Sequence, residues 1–215
     1  MKTLYRLLFI LSLCLSFSSV PAQGLLNLSK AKSDVARYYA SGRYDHDVDS
    51  VMAYALTQLR AVKAGPRDVV VFDVDETAIA NLPHIISMDF GFRLDIWNEW
   101  VNSAQAKAIP QVKRFYDTLI TRGIGVVFLT GRMDEITPAT RKNLLAEGYR
   151  KYDTLITRSK GDGYGSTGAF KTATRKKLED AGYHIIMCIG DQDTDLIGGN
   201  AGIKIKLPNY IYLID

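Results

Sequence analysis

Val69-Val70-Val71-Phe72-Asp73-Val74-Asp75-Glu76-Thr77 is an apolar run that ends in two carboxylates spaced two residues apart. Side chains i and i+2 share a face of an extended strand, so Asp73 and Asp75 can converge on one atom at the carboxyl edge of a sheet. Such a pair can divide the labour of phosphoryl transfer. One carboxylate attacks phosphorus and forms an aspartyl-phosphate, while the other hands a proton to the leaving oxygen and later takes one from water. An acidic turn after a strand has the same composition, so the rest of the chain decides.

Matching parts follow at matching places. A second apolar run, Ile124 to Leu129, ends in Thr130-Gly131-Arg132, a hydroxyl and a backbone N–H able to cradle a phosphoryl oxygen. Phe170-Lys171-Thr172 opens a helical pattern, where Lys171 can supply a point charge that holds nucleophile and phosphate together. A later run, Ile185 to Ile189, ends in Gly190-Asp191-Gln192-Asp193-Thr194-Asp195, hard oxygen ligands suited to magnesium. A Thr-Gly turn, a solvated lysine and an acidic helix start are each ordinary alone. Their joint occurrence in this order is not.

With these four motifs in hand, the chain resembles the haloacid dehalogenase superfamily of phosphatases over roughly residues 66 to 213. It is similar in particular to the acid phosphatase subfamily of plant acid phosphatases, vegetative storage proteins and bacterial secreted acid phosphatases. The stretches that carry this narrower resemblance are Asn81-Leu82-Pro83, Glu99-Trp100-Val101, Arg175-Lys176-Lys177-Leu178 and Lys206-Leu207-Pro208-Asn209. Asp193-Thr194 departs from the pattern, since these relatives more often carry an aromatic and a small residue there. The resemblance implies Asp73 as nucleophile and Asp75 as general acid and base. It implies a magnesium ion on Asp73, the Asp75 backbone carbonyl and Asp191, with Asp195 reaching the metal through water and Asp193 a weaker substitute. Thr130, the Gly131 amide and Lys171 would stabilise charge on the transferred group. Lys160 is the runner-up for the lysine role.

The front of the chain addresses location. Lys2 and Arg6 precede the apolar run Leu7 to Leu15, and Val20-Pro21-Ala22 offers small residues before a cut ahead of Gln23. Residues 1–22 therefore read as a secretory signal peptide, too short in its apolar part for the ~20 residues of a membrane span. An exported protein is expected, periplasmic or secreted, with no integral membrane association after cleavage. Cleavage removes Cys14 and leaves Cys188 alone inside a strand pattern, so the mature chain has no internal disulfide. It also removes two of the 27 basic residues and none of the 23 acidic ones, which takes the formal charge from +4 to +2. That near neutrality, without a basic stripe interleaved with aromatics, gives no reason to expect a nucleic-acid partner.

The coarse pattern is an α/β one. Strands are expected near 68–73, 124–130, 153–157, 184–189 and 202–206, with helices near 108–122, 135–148 and 169–182. Right-handed crossovers put the strand carboxyl ends on one edge of a doubly wound, Rossmann-like parallel sheet, and the four motifs then meet there. One domain is expected over 23–215, preceded within it by helices over 23–65 broken near Ser41-Gly42, and carrying a small insert over 78–107 instead of a large cap. Met52, Leu56 and Leu59 recur at helical spacing and should pack on the main domain. Asp45, His46, Asp47 and Asp49 lack the spacing of a calcium loop and read as a solvated turn. His84 and His184 have no clustered partner and read as structural.

Substrate choice rests on the insert. Phe90, Phe92, Trp97 and Trp100 either form an aromatic wall for a phenyl or nucleobase leaving group or pack the insert on the core, with Trp100 the most core-like. Arg132 either faces the entrance and meets a substrate oxygen or pairs with a nearby acid. The expected function is a magnesium-dependent phosphomonoesterase acting on small phosphate monoesters, with nucleotides among them. A phosphotransferase to an acceptor alcohol and a non-enzymatic storage or binding protein on the same fold are the alternatives.

Overall fold

The computed structural model describes residues 26–162 and 165–214; the expected export signal over 1–22 lies outside them. Five parallel strands form the main sheet: β1 (Asp68–Phe72), β4 (Gly125–Met133), β5 (Thr154–Arg158), β6 (His184–Gly190) and β7 (Ile203–Lys206). Their order is β5-β4-β1-β6-β7. The chain winds outward from β1 in one direction through β4 and β5, then crosses to the other side for β6 and β7. The switch point of the doubly wound sheet therefore lies at the carboxyl end of β1, the place where such sheets bind ligands.

β1 is buried on both faces because its neighbours and its covering helices leave it no solvent side. Val70 and Phe72 join the larger core cluster with Val126, Phe128, Met187 and Ile189. Val69 and Val71 face the other way, into a smaller cluster with Val127, Leu129, Ile185 and Cys188. A register shift between Val69 and Val70 against β6 lets both Ile186 and Met187 contribute to the larger cluster. Cys188 is buried, and that burial pushes its thiol up to about 12, the behaviour of a small hydrophobe.

Helices α1 (Leu28–Ala40) and α2 (Arg43–Ala61) precede the sheet. The break falls at Gly42, whose φ of 80° is left-handed and needs no Cβ to accommodate. On α2 the buried face is Tyr44, Val48, Met52, Ala55 and Leu59. This stripe carries the helix straight through Asp45, His46, Asp47 and Asp49, so the expected solvated turn is instead the first turns of a helix. The acids tie α2 to its surroundings: Tyr38 Oη donates to Asp47 at 2.8 Å and Arg114 to Asp49 at 2.8 Å.

Helices α5 (Pro110–Thr121), α6 (Thr137–Ala146) and α7 (Thr167–Asp180) are the crossovers. Between β1 and α5 lies the insert, which starts at β2 (Ile79–Ala80), passes through α3 (Leu82–Ser87) and α4 (Leu94–Ser103), and closes with β3 (Lys107–Ala108) antiparallel to β2. Asn143 of α6 fixes its closing end, accepting from the Ala106 N–H at 3.1 Å and donating to the Ala106 carbonyl at 2.7 Å. The insert's helices are thereby held over the carboxyl edge of the sheet. Among the described residues, no helix is long and apolar enough to cross a membrane.

Candidate active site

Asp73 is the first residue after β1, and its N–H still donates to the Ile189 carbonyl at 2.9 Å, so its position is fixed by the end of the parallel ladder. Its carboxylate is buried, and Lys171 Nζ donates to Oδ1 at 2.5 Å. Lys171 stands in the first turns of α7, is itself buried, and also donates to Asp195 Oδ1. Burial works against its charge, but Asp73 and Asp195 more than reverse that effect and hold the ammonium protonated. Lys160, by contrast, pairs with Glu135 at 2.7 Å on the surface, far from the role held open for it. A solvated loop lysine gains nothing by leaving water, whereas Lys171 is carried inward by a helix face that also buries Phe170 and Thr174.

Asp191 follows β6 and is held by three donors. Thr77 Oγ1 reaches Oδ1 at 3.2 Å, while Gln192 Nε2 and Asn209 Nδ2 reach Oδ2 at 2.5 and 2.6 Å. Asp195 closes a short 3-10 turn: its Oδ2 accepts from the Gln192 N–H at 2.9 Å, and the Gln192 side chain answers as a capping box. The turn returns so tightly that a Cβ on Gly190 would lie 2.2 Å from Asp195 Oδ2. The unusual Asp193-Thr194 pair sits in this turn, with Asp193 exposed and Thr194 buried. Asp193 therefore does not join the site.

Asp73, Asp191 and Asp195 each offer a carboxylate oxygen such that the three atoms lie within 4.8 Å of one another. Burial pushes the Asp73 carboxyl well above the usual carboxylate range; Lys171 pulls it back, and Asp195, Asp191 and Asp75 push it further. Burial likewise raises Asp191 to about 6, with Asp195 adding to the rise and the Asn209 and Gln192 hydrogen bonds opposing it. This excess of close, buried carboxylate over the single cation Lys171 is what a hard divalent cation neutralises, and the all-oxygen donor set suits one. Thr194 Oγ1, buried at the edge of the same cavity without a protein partner, adds an unsatisfied oxygen there. The residues fit a divalent cation.

Asp75 lies outside this trio. Its side chain is gripped by Arg132, with Nε at 2.9 Å from Oδ2 and Nη2 at 2.6 Å from Oδ1, and by Asn81 Nδ2 at 2.8 Å from Oδ1. Of the two places expected for Arg132, the structure shows the ion pair: the guanidinium is buried, bonded also to Thr140, and lies 5.5 Å under the Trp97 ring. Thr130 is buried at the end of the second motif, and its Oγ1 accepts from the Arg132 N–H at 3.1 Å, which leaves its own proton free to donate. β4 runs three residues beyond its expected end, through Gly131 and Arg132 to Met133, after a register break against β5.

Asp73, Asp75, Thr130, Arg132, Lys171, Asp191 and Asp195 line one cavity of about 530 Å³, within the range of small-molecule sites. Thr130, Gly131, Lys171 and the carboxylates form its floor. Phe90, Phe92 and Trp97 from the insert line its mouth, Phe92 being 71% exposed and Trp97 half-buried. Trp100 packs against the core, as expected, while its Nε1 donates to Asn81 Oδ1 at 2.8 Å. His84 stacks on Trp100 and also lines the cavity, while His184 pairs with Asp68 at the start of β6. The C-terminal residues Ile211 to Ile214 also line the cavity, anchored through Gln192. The sequence patterns did not single out this tail, nor Asn81, Thr77 and Asn209 as partners of the site carboxylates. Thr77, Asn81 and Asn209 carried a signal only as members of the stretches behind the family resemblance.

Comparison with known proteins bears on the family and the fold. The family model described as HAD superfamily, subfamily IIIB (acid phosphatase) matches residues 14–215. The stem 28 kDa glycoprotein of Glycine max is 34% identical over 82% of this chain and 72% of its own length. Acid phosphatase 1 of Solanum lycopersicum is 31% identical over 84% of this chain and 73% of its own. The class C acid phosphatase of Bacillus anthracis has the same fold, with a TM-score of 0.72 over 86% of each chain at 20% identity.

Proposed function

We propose, from the premise that this chain belongs to subfamily IIIB of the HAD superfamily and is a phosphomonoesterase of the acid phosphatase type, that it hydrolyses small phosphate monoesters through an aspartyl-phosphate on Asp73. The observation that carries this reading is the meeting of Asp73, Asp75, Thr130 and Lys171 around one cavity at the switch point of the sheet.

In the first step an Asp73 carboxylate oxygen bonds to phosphorus while the ester P–O bond breaks. Asp75 gives its proton to the departing oxygen. The Lys171 ammonium, the Thr130 hydroxyl and the Gly131 N–H take up charge on the transferred group. In the second step Asp75 takes a proton from water as the water oxygen bonds to phosphorus, and the bond to Asp73 breaks. Asp73, Asp191 and Asp195, with the Asp75 backbone carbonyl, would hold a magnesium ion, which would supply the positive charge that lets a phosphate dianion approach a carboxylate. Phe92 and Trp97 offer apolar surface to the leaving group, which makes aryl phosphates and nucleotides natural substrates. Residues 1–22 serve as the export signal, and the single domain over 23–215 acts in the periplasm or outside the cell.

The reading is tested by phosphate release from p-nitrophenyl phosphate and a nucleotide panel by the mature chain, with magnesium or with EDTA. Metal-dependent turnover is expected. Its absence from folded, metal-loaded protein would move the weight to a binding role, such as the name of vegetative storage protein 1 of Arabidopsis thaliana, 28% identical over 93% of this chain, suggests for that protein.

Removal of metal has a second expected effect, on stability. Glu76 is raised to about 8, chiefly by burial and then by Asp75, and Asp191 to about 6. The unfolded chain ionises both near their ordinary values of 4.5 and 3.8. Between these limits the metal-free folded state holds protons that the unfolded state has lost, so stability is highest at the acid end and declines as pH rises from about 3.8 to about 8. A bound cation favours the ionised carboxylates and counters the decline. Melting temperatures should therefore fall from pH 5 to pH 8 in EDTA, and added magnesium should raise them more at pH 8. At a hundredfold excess over Kd the gain is about 2.7 kcal/mol. An equal metal effect at both pH values would contradict this account.

A further inference from the structure

Asn81 follows β2 and stands at the N-cap position of α3, yet its side chain makes no capping hydrogen bond to that helix. Asparagine is among the residues favoured at this position because it caps. Here the amide, fully buried, is turned toward the site carboxylates instead.

The orientation of that amide is forced. Its Nδ2 faces Asp75 Oδ1 at 2.8 Å, an acceptor that only the NH₂ group can satisfy, and lies 3.3 Å from Glu76 Oε2. Its Oδ1 faces the Trp100 indole N–H at 2.8 Å, which can only donate. The backbone is held as well, because the Asn81 N–H donates to Glu76 Oε1 at 2.6 Å. Glu76 is pinned in turn by Tyr212 Oη from the C-terminal segment and by a left-handed backbone at φ 51°.

The consequence falls on Asp75. A carboxylate oxygen has two lone-pair directions in its plane. Among the described residues, Asp75 Oδ1 receives both Asn81 Nδ2 and Arg132 Nη2, whereas Oδ2 receives only Arg132 Nε. One lone pair on Oδ2 is left open.

We propose that Asn81, itself locked by Trp100 and Glu76, is a positioning residue that makes Oδ2 the oxygen of Asp75 that carries the proton in catalysis. This rests on the phosphatase reading above. In phosphoryl transfer to Asp73, the Oδ2–H bond breaks and its proton goes to the leaving oxygen, which keeps the electron pair of the broken P–O bond. In hydrolysis the proton returns to Oδ2 from the attacking water. Without Asn81 the Asp75 proton is divided between the two oxygens, and the carboxyl loses one of its two supports.

The leaving group reads this out. An alkoxide needs its proton in the transition state, while p-nitrophenolate leaves almost unaided. The experiment compares kcat/KM, which reports the step up to phosphoryl transfer, for an alkyl phosphate and for p-nitrophenyl phosphate in wild type, Asp75→Ala, Asn81→Ala and Trp100→Phe. General acid catalysis contributes typically 10²–10⁴-fold. Asp75→Ala should lose about that much on the alkyl ester. Asn81→Ala should lose roughly tenfold to a hundredfold on the alkyl ester and less than about threefold on p-nitrophenyl phosphate, with KM unchanged. Trp100→Phe keeps an aromatic side chain but is smaller and lacks the N–H that holds Asn81 Oδ1, and should show the same selectivity at smaller size, which serves if Asn81→Ala does not fold.

Equal losses on both esters in Asn81→Ala, or in Trp100→Phe where that variant must serve, would overturn the proposal. Absence of turnover in wild type would overturn the phosphatase reading itself. A leaving-group-selective loss in Asp75→Ala without one in Asn81→Ala would leave that reading standing and overturn only the role of Asn81.

Discussion

Asp73→Asn is expected to abolish turnover, by roughly four orders of magnitude or more, in a protein that folds and melts as the wild type does. The substitution is isosteric and leaves the Asp73 N–H on the Ile189 carbonyl, so the end of β1 keeps its place. What changes is the atom that attacks. An amide oxygen does not form the phosphoenzyme at a useful rate, and no other carboxylate among the described residues shares Asp73's position against Lys171 on the cavity floor. Asp195 also pairs with Lys171, but it is locked to the Gln192 N–H in its own turn. Steady-state rates, together with acid-quench trapping of phosphoenzyme in wild type and variant, measure the effect. Neutralising one of three crowded carboxylates also removes repulsion, so the metal-free variant should be at least as stable as wild type and should gain less from added magnesium. Substantial turnover in Asp73→Asn would assign the nucleophile elsewhere.

The parts of this site that could be read from the chain are those whose position follows from strand periodicity. Asp73, Thr130 and Asp191 end up together because each sits where an apolar run stops, and the parallel strands bring those ends to one edge. Lys171 was legible for a related reason, since α7 begins at that same edge. Asn81 and Tyr212 were not, because each acts through a partner whose approach depends on a chain path with no local signature. Tyr212 meets Glu76 across nearly the whole domain. The two open choices, at Arg132 and at the aromatics, were open for the same reason. Each side chain had a plausible function in isolation, and only the three-dimensional neighbours decide.

The misreading of Asp45 to Asp49 has a different origin. Four polar residues in a row of five look like a turn by composition, but Tyr44, Val48 and Met52 flank and interrupt them at helical spacing. Burial of that stripe outweighs the low helix propensity of aspartate, a few tenths of a kcal/mol per residue. Periodicity was the stronger signal.

Lys171→Met should cost the most stability of any substitution on the cavity floor. Its ammonium is buried and bridges Asp73 and Asp195, while methionine keeps the length of the stem and fills the same space. Breaking a buried pair from one side typically costs about 3–5 kcal/mol when the orphaned charge stays ionised. Here the orphans can escape by taking up protons, since Asp73 is already raised well above the carboxylate range by burial and loses in Lys171 the group that pulls it back. The folded variant would then bind more protons than the unfolded chain between the ordinary aspartate value and its own raised one, so its stability must fall as pH rises through that window, and more steeply than that of wild type. The loss should be modest near pH 5 and approach the full cost near pH 8, with added magnesium restoring part of it by replacing the missing positive charge. Urea unfolding of wild type and variant at the two pH values, with and without magnesium, resolves these slopes. Turnover should fall as well, by about a thousandfold, because the same ammonium is proposed to meet the charge that develops on the transferred phosphoryl group. A variant as stable as wild type at pH 8 would mean that Lys171 only breaks even against its own desolvation, and the catalytic loss alone would then have to explain why a cation is kept in so dry a place.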